Sequence, residues 1–159
     1  MRRNFLGLFL TAALATASPA LADWQYTRWG MSPEEVISAS GGTATRPDEA
    51  AEFSGNLIHL LTAPYVLADG QLQFQAQFVF HDFQQLYQVR LVPFVGDCNA
   101  VFRRLEETYG PGRESSFQVA RLTKWFDRDN GNVIFLTEIQ GSCEVDYRRF
   151  AVPNEAGGL

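Results

Sequence analysis

Hydrophobic and polar residues alternate through the middle of the chain with the period of two that a β-strand requires. Apolar residues occupy every second position from Leu72 to Phe80. The positions before and between them hold a row of four glutamines, Gln71, Gln73, Gln75 and Gln77. Because successive side chains of a strand point to opposite faces, the pattern predicts an antiparallel strand with one buried and one solvated face.

Five further segments have the composition and spacing of strands. The last three of these segments are separated by Asp129-Asn130-Gly131 and by Gln140-Gly141-Ser142, which contain residues typical of tight turns. The polar stretch 43–52 is predicted to be a loop. The five predicted strands cover residues 57–66, 87–93, 117–126, 133–139 and 143–150.

Two segments follow the helical period instead. Ser32, followed three residues later by Glu35, has the form of a capping box, and Gly41-Gly42 predicts the end of this short helix. Asp97 is the expected N-cap of a second, amphipathic helix, which ends at Gly110. The apolar stripe of the second helix consists of Cys98, Val101, Phe102, Leu105 and Tyr109.

The resulting element order is α-β-β-β-α-β-β-β. It predicts an α+β fold in which an antiparallel sheet of about six strands carries two helices on one face. We expect a single domain over residues 23–152 and a flexible tail over residues 153–159. The second half repeats the element order of the first but not its residues, so a true duplication stays open.

The N-terminus has the layout of a signal peptide. Two arginines precede an apolar run over residues 5–17, and Ala20-Leu21-Ala22 supplies the small residues of a cleavage site. Removal of residues 1–22 would leave 137 residues in the periplasm of a Gram-negative bacterium, or secreted. Since no later apolar run reaches about 20 residues and no cysteine lies near the cleavage site, we expect neither a membrane span nor a lipid anchor.

Charge and composition narrow the function classes. Without Arg2 and Arg3 the chain keeps 11 basic and 18 acidic residues, a net charge of −7. Such a chain is a poor partner for nucleic acid. Residues 23–159 keep 19 of the 21 aromatic residues, which supply a hydrophobic core and exclude disorder as the main state.

Both cysteines, Cys98 and Cys143, lie in the exported part of the chain, where oxidising conditions favour disulfides. Cys98 belongs to the apolar stripe of the second helix, and Cys143 shares a strand face with Val145 and Tyr147. We therefore predict a disulfide that fastens the second helix to the inner face of the sheet. Closing a loop of this length stabilises a domain by about 4 kcal/mol in the chain-entropy model.

The chain holds only two histidines, His59 and His81. They would suit proton transfer or metal binding if the strands brought them together. The more ordinary interpretation makes His59 a solvent-facing strand residue and His81 part of a turn. No cluster with metal-ligand spacing and no nucleophile motif occurs, so we predict no metal, no cofactor and no catalytic residue.

Two features remain as candidate binding elements. Trp24, Tyr26 and Trp29 precede the first helix and would form an aromatic lip, or would cover one end of the core. The strand glutamines Gln73, Gln75 and Gln77 would bind a ligand through neutral hydrogen bonds, or would keep an exposed sheet face soluble.

The opening Trp29-Gly30-Met31-Ser32-Pro33-Glu34-Glu35-Val36, with the later segment from Leu105 to Pro111, resembles small exported bacterial proteins of largely uncharacterised families. It is more distantly similar to the SmpA/OmlA outer-membrane assembly lipoproteins and to beta-lactamase-inhibitor-like folds. The resemblance implies a short helix followed by an antiparallel sheet, and a non-enzymatic binding or assembly role. It transfers no catalytic residue to this chain.

These observations favour a non-catalytic binding or assembly module for an envelope protein or a small ligand. One alternative is a small periplasmic enzyme that uses His59 or His81. Another is an inhibitor of a secreted hydrolase, for which residues 43–52 are the candidate inhibitory loop.

Overall fold

The computed structural model describes residues 23–48 and 51–150, and for residues 51–54 it describes the backbone alone. Within these ranges the chain forms two helices and eight strands. The expected signal peptide and the expected C-terminal tail lie outside the described residues. The elements in chain order are α1 (Pro33–Ala39), β1 (Ala51–Ser54), β2 (Leu57–Val66), β3 (Gln73–His81), β4 (Gln85–Val95), α2 (Cys98–Tyr109), β5 (Arg113–Phe117), β6 (Ala120–Asp127), β7 (Asn132–Ile139) and β8 (Ser142–Arg149).

The strands of the described chain form one antiparallel sheet in the order β1-β2-β3-β4-β8-β7-β6-β5. Each helix precedes a run of four consecutive strands, and the two runs meet where β4 pairs with β8. Short strands, β1 and β5, form the two edges of the sheet. The predicted α+β class with an antiparallel sheet is therefore confirmed, and each half reads α-β-β-β-β.

The two strands that the sequence did not predict are these edge strands. β1 begins inside the stretch 43–52, which the polar composition assigned to a loop. The predicted strand 117–126 is instead a hairpin, because Phe117 at the end of β5 pairs with Ala120 at the start of β6. All five residues of β5 are exposed. A strand with no buried face shows no alternation, so periodicity cannot reveal it.

Both helices begin as their caps predict. The Ser32 side chain accepts a hydrogen bond from the backbone N–H of Glu35 at 3.2 Å, and the Glu35 carboxylate accepts one from the Ser32 N–H at 2.7 Å. At the second helix the Asp97 carboxylate accepts a hydrogen bond from the Ala100 N–H at 2.7 Å. These bonds satisfy N–H groups that have no partner inside a helix.

The expectation that both helices lie on one face of the sheet is wrong. α2 packs against the sheet through Phe102, whose ring lies edge-on to Trp125 of β6 at 5.9 Å. α1 contributes only Pro33 and Val36 to the buried residues. Backbone hydrogen bonds link the segment before α1 to Leu86 near the start of β4. A helix of two turns presents too little apolar surface to cover a sheet of this size.

The hydrophobic core lies on one face of the sheet, here called the inner face. The alternation predicted for β3 is confirmed, since Phe74, Ala76, Phe78 and Phe80 are buried on this face. Strand register places residues of the neighbouring strands beside them on the same face. The inner-face core includes Phe74, Ala76, Phe78, Val89, Leu91, Ile134, Leu136, Val145 and Tyr147.

Cys98 and Cys143 form the predicted disulfide, with their Cα atoms 5.8 Å apart. The bond joins the first residue of α2 to the inner face of β8, as the two local periods indicated. The disulfide therefore fastens the N-terminal end of α2 to β8.

Candidate functional site

A cavity of about 680 Å³ lies between the inner face of the sheet and α2. The segment before α1, the β2–β3 connection and the β6–β7 turn line its other sides, and it is open to solvent. Small-molecule sites have volumes of roughly 300–1,000 Å³ and combine apolar walls with a few polar groups. The lining includes the apolar residues Phe74, Leu91, Val101, Leu105 and Val145, the aromatic residues Trp24, Tyr65, Tyr109 and Tyr147, and the polar residues Asp23, Gln25, Arg104, Thr108, Asp127 and Asn132.

Aromatic rings from separate parts of the chain form much of the cavity wall. The Trp24 ring lies 5.4 Å from the ring of Tyr65 at 63°, and 6.2 Å from that of Tyr147 at 55°. Tyr65 also packs against Phe74, with ring centroids 6.0 Å apart. Because the Trp24 ring is steeply inclined to the rings of Tyr65 and Tyr147, these three rings do not form a flat stack.

Three tyrosines bring hydroxyl groups to the cavity. The Tyr65 hydroxyl accepts a hydrogen bond from Gln25 Nε2 at 3.2 Å, and the Tyr109 and Tyr147 hydroxyls lie 3.5 Å apart. Burial raises the pKa of each of these tyrosines above its ordinary value, most strongly at Tyr147. All three therefore stay neutral at physiological pH, and offer polar contacts without adding charge.

Two carboxylates line the cavity near the β6–β7 turn and the N-terminal segment. Asp127 accepts hydrogen bonds from the backbone and side-chain N–H groups of Asn130 at 3.2 and 2.8 Å. Asp23 accepts one from the Trp29 backbone N–H at 2.6 Å. Arg104 of α2 lies at another side of the cavity and pairs with Asp69 at 2.8 Å. The cavity therefore combines apolar, neutral polar and charged groups.

The predicted aromatic lip lies beside this cavity. Trp24 is part of the wall, and Tyr26 packs on Trp24 with ring centroids 6.3 Å apart. The Trp29 indole N–H donates to the side-chain oxygen of Asn132 at 3.0 Å, and Asn132 in turn lines the cavity. Both interpretations of this segment therefore apply to Trp24, which covers core residues and also forms part of the cavity.

The structure places the predicted glutamines away from the cavity. Gln73, Gln75 and Gln77 lie on the opposite, outer face of β3. Gln75 lines a shallow hollow there with Pro64 and Phe94.

Sequence reasoning did not single out the tyrosines of the cavity. Each of the three occupies an inward position: Tyr65 in β2, Tyr109 on the stripe of α2 and Tyr147 on the apolar face of β8. An inward tyrosine is itself a signal, because its hydroxyl needs a polar partner or water. That signal does not reveal that three such hydroxyls share one cavity.

The two histidines lie on the outer face. His59 pairs in register with Val79 of β3, and His81 pairs with Leu57, which lies two residues before His59 in β2. His59 is buried, whereas the more ordinary interpretation made it a solvent-facing residue. His81 is half exposed and contacts Asp82 at 2.9 Å. Within the described chain, no three His, Cys, Asp or Glu side chains cluster as metal ligands do.

The outer face also carries a charged cluster at its centre. Asp146 of β8 is 2% exposed and accepts hydrogen bonds from Gln88, Arg90 and Arg148. Arg90 also contacts Glu144 at 3.0 Å. Burial raises the pKa of Glu144, an effect that Arg90 opposes. The outer face is therefore a structured polar surface and not a simple solvated row of glutamines.

We expect His59 to make the stability of the protein pH-dependent. Burial lowers the pKa of His59 from its ordinary value of 6.5, so the unfolded chain binds the proton more tightly than the native state. The contribution of His59 to the free energy of unfolding should be complete above pH 6.5. It should be lost as the pH falls from there through the lowered native pKa.

Urea unfolding at pH 7.5, 6.5 and 5.5 measures this effect. The variant His59→Gln should lose less stability than the wild type between pH 6.5 and 5.5. His81→Gln removes the other histidine from a half-exposed position and is the matched control. An identical acid-induced loss in the His59→Gln variant and the wild type would contradict the expectation.

Among residues 23–48 and 51–150, no helix has the length and apolar character needed to cross a membrane. No family model, curated protein or solved structure matches the chain.

Proposed function

We propose that the protein is an exported, periplasmic binding module that holds a small ligand in the inner-face cavity without catalysing a reaction. The signal-peptide layout of residues 1–22 supports export, and the disulfide is compatible with an oxidising compartment. The Trp29–Val36 opening resembles small exported bacterial proteins, and the binding or assembly role that this resemblance implies supports the proposal.

The observation that carries the proposal is the cavity itself. It has the volume of a small-molecule site, and its wall presents apolar and polar surface in nearly equal amounts. Neither histidine lines the cavity, and both cysteines lie outside its lining, in the disulfide that joins α2 to β8. A cavity of this volume and mixed lining supports the retention of a small ligand.

Filling the cavity should abolish ligand binding without unfolding the protein. Thr108 is exposed on α2 and lines the cavity, so Thr108→Trp places a large ring in the opening. With the neutral fluorophore N-phenyl-1-naphthylamine as the probe, we expect at least a tenfold loss of affinity in a fluorescence titration.

The matched control is Asn99→Trp, which adds the same ring to an exposed position of α2 outside the cavity lining. It should bind the probe as the wild type does. Wild-type affinity in the Thr108→Trp variant, or no binding of the probe by the wild type, would refute the proposed ligand site.

Docking of an envelope protein is a second candidate function. It is favoured by exposed apolar side chains at the β5–β6 turn, where Phe117 and Val119 are 63% and 67% exposed. The double variant Phe117→Ser/Val119→Ser should impair this function alone, whereas Thr108→Trp should impair only the ligand site. Comparing the phenotypes of the two variants in cells therefore separates the candidates.

A further inference from the structure

We propose that two copies of the protein associate through strand β5, which pairs with the β5 of a second copy and continues the antiparallel sheet across a two-fold axis. The inference goes beyond the proposed ligand-binding function and does not involve the cavity. Because Phe117 belongs to β5, this pairing uses part of the surface that the second candidate function assigns to an envelope protein.

β5 is an edge strand without the features that usually protect one. In the described chain it pairs only with β6, and all five of its residues are exposed. It contains no proline, its pairing from Arg113 to Phe117 has no bulge, and its two charged residues, Arg113 and Glu114, have opposite signs. β1, at the opposite edge of the sheet, has a register shift between Glu52 and Ser54. Because prolines, bulges and like charges oppose strand addition, β5 is the edge that accepts a further strand.

The turn between β5 and β6 determines which backbone groups of β5 point outwards. This turn consists of residues 118–119, so Phe117 and Ala120, which flank it, form a hydrogen-bonded pair. Since bonded and non-bonded pairs alternate along an antiparallel ladder, the N–H and C=O groups of Glu114 and Ser116 point away from β6. A second β5 can bond all of these groups when its Ser116 lies opposite Glu114.

Side-chain charges favour the same register. With Glu114 opposite Ser116, Ser115 faces the Ser115 of the second copy, and all five residues of each strand are paired. A shift of two residues in either direction reduces the overlap to three residues. One of these shifts also places Glu114 directly opposite the Glu114 of the second copy, where like charges repel. The register centred on Ser115 therefore combines full overlap with no like charges directly opposite.

β6 supplies a countercharge for Glu114 of the second copy. On the inner face, Ser116 lies opposite Arg121, whose guanidinium binds Glu138 of β7 at 2.6 and 2.7 Å. Strand addition extends this row, so Glu114 of the second copy lies beside Ser116 and on the same line as Arg121. Serine leaves space between the two charges, and the Arg121 side chain is 40% exposed. The charge pattern of this edge is therefore complementary to a second copy.

The outer face gains a contact for an exposed aromatic ring. Phe117 is 63% exposed and shares the outer face with Arg113. In the register centred on Ser115, Phe117 lies opposite Arg113 of the second copy. An arginine packs its apolar stem and its guanidinium against an aromatic ring, and the two-fold axis repeats this contact. The pairing therefore covers apolar surface that the single chain leaves in water.

Sedimentation velocity at about 1 µM and about 500 µM protein measures the association. Because a pair of five-residue strands is a small interface, we expect the wild type to be monomeric at the lower concentration and mainly dimeric at the higher one. Ser116→Pro removes an outward N–H without removing a hydrogen bond to β6, and should be monomeric at both concentrations. An unchanged urea midpoint checks that this variant is folded.

A charge reversal provides a second variant that leaves the backbone unchanged. Glu114→Lys places a lysine on the line of Arg121 and should weaken the dimer at least fivefold. The matched control is Glu107→Lys, which makes the same change at an exposed position of α2 and should dimerise as the wild type does.

Single cysteine substitutions identify the register. Ser115→Cys places two thiols opposite each other across the axis, and mild oxidation should link the two copies. Arg113→Cys is the matched control, because residue 113 is four positions, roughly 13 Å, from its counterpart along the strand. This variant should stay unlinked under the same conditions.

Each result supports or overturns the pairing. A wild type that stays monomeric at about 500 µM overturns it, and leaves a strand of another protein as the occupant of this edge. A dimer that persists in the folded Ser116→Pro variant also overturns it, as does linkage through residue 113 but not through residue 115. Equal weakening by Glu114→Lys and Glu107→Lys would exclude the proposed register.

Discussion

Replacing Asp146 by alanine is expected to lower the free energy of unfolding by about 3 kcal/mol. The Asp146 carboxylate is buried and accepts hydrogen bonds from Gln88 Nε2 at 2.6 Å and from Arg148 at 3.1 Å. Arg90 binds it with two nitrogens, at 2.8 and 3.1 Å. Removing the acceptor leaves a buried amide and a largely buried guanidinium with fewer partners. Since Arg90 keeps its contact with Glu144, the loss should lie at the lower end of the range for broken buried ion pairs.

Urea unfolding of the wild type and the Asp146→Ala variant measures this loss. Arg46→Ala is the matched control, because it breaks an ion pair with Glu34 at a similar distance, 2.9 Å, in which both side chains are more than half exposed. That change should cost no more than about 1 kcal/mol. Equal losses in the two variants would show that burial of the Asp146 cluster has no energetic consequence.

The double variant Cys98→Ser/Cys143→Ser should lose about 4 kcal/mol of stability through the greater entropy of its unfolded chain. The disulfide joins residues 45 positions apart and holds the N-terminal end of α2 against β8. Because α2 also supplies Val101, Leu105 and Tyr109 to the cavity, we expect binding of N-phenyl-1-naphthylamine to weaken as well.

The reductant dithiothreitol provides the control for this prediction. It should lower the urea midpoint of the wild type to that of the serine variant, and leave the variant itself unchanged. An unchanged midpoint in the double variant would mean that the bond does not constrain the unfolded chain. A lower midpoint with unaltered probe affinity would show that packing alone positions α2.

Local patterns predicted those parts of the fold that depend on near neighbours in the chain. The capping box at Ser32 and the cap at Asp97 act within three residues, so both helices begin where the sequence indicated. Strand β2 occupies residues 57–66 as its period predicts, and β3 buries the apolar half of its alternation. The disulfide followed from two such local patterns taken together.

Tertiary contacts explain residues that sequence analysis interpreted only as a motif. In the Trp29-Gly30-Met31 opening, the Trp29 indole reaches Asn132 across the fold. Gly30 has a φ of +88°, which glycine adopts readily, and its N–H donates to the Leu86 carbonyl. The opening is therefore a structural connection between the N-terminal segment and the strands β4 and β7.

The outer face shows where periodicity misleads. Alternation assigned Gln73, Gln75 and Gln77 to a solvated face, but residues on the same face of other strands, including His59, Gln88 and Asp146, are buried. Burial on this face depends on which strands lie side by side. The sheet order, with β4 next to β8, is not encoded in any single segment.

By itself the sequence determined the α+β class, the caps, most strand positions and the inward direction of the β3 aromatic residues, because each depends on side chains a few positions apart. It also determined the cysteine pair, because the chain has only two cysteines. Only the tertiary structure decided that Trp24, Tyr65, Tyr109 and Tyr147 surround one cavity, and that Asp127 shares it. These residues come from five separate parts of the chain, and their meeting depends on strand order and on the placement of α2. The aromatic residues first assigned to the core therefore also form the candidate binding site.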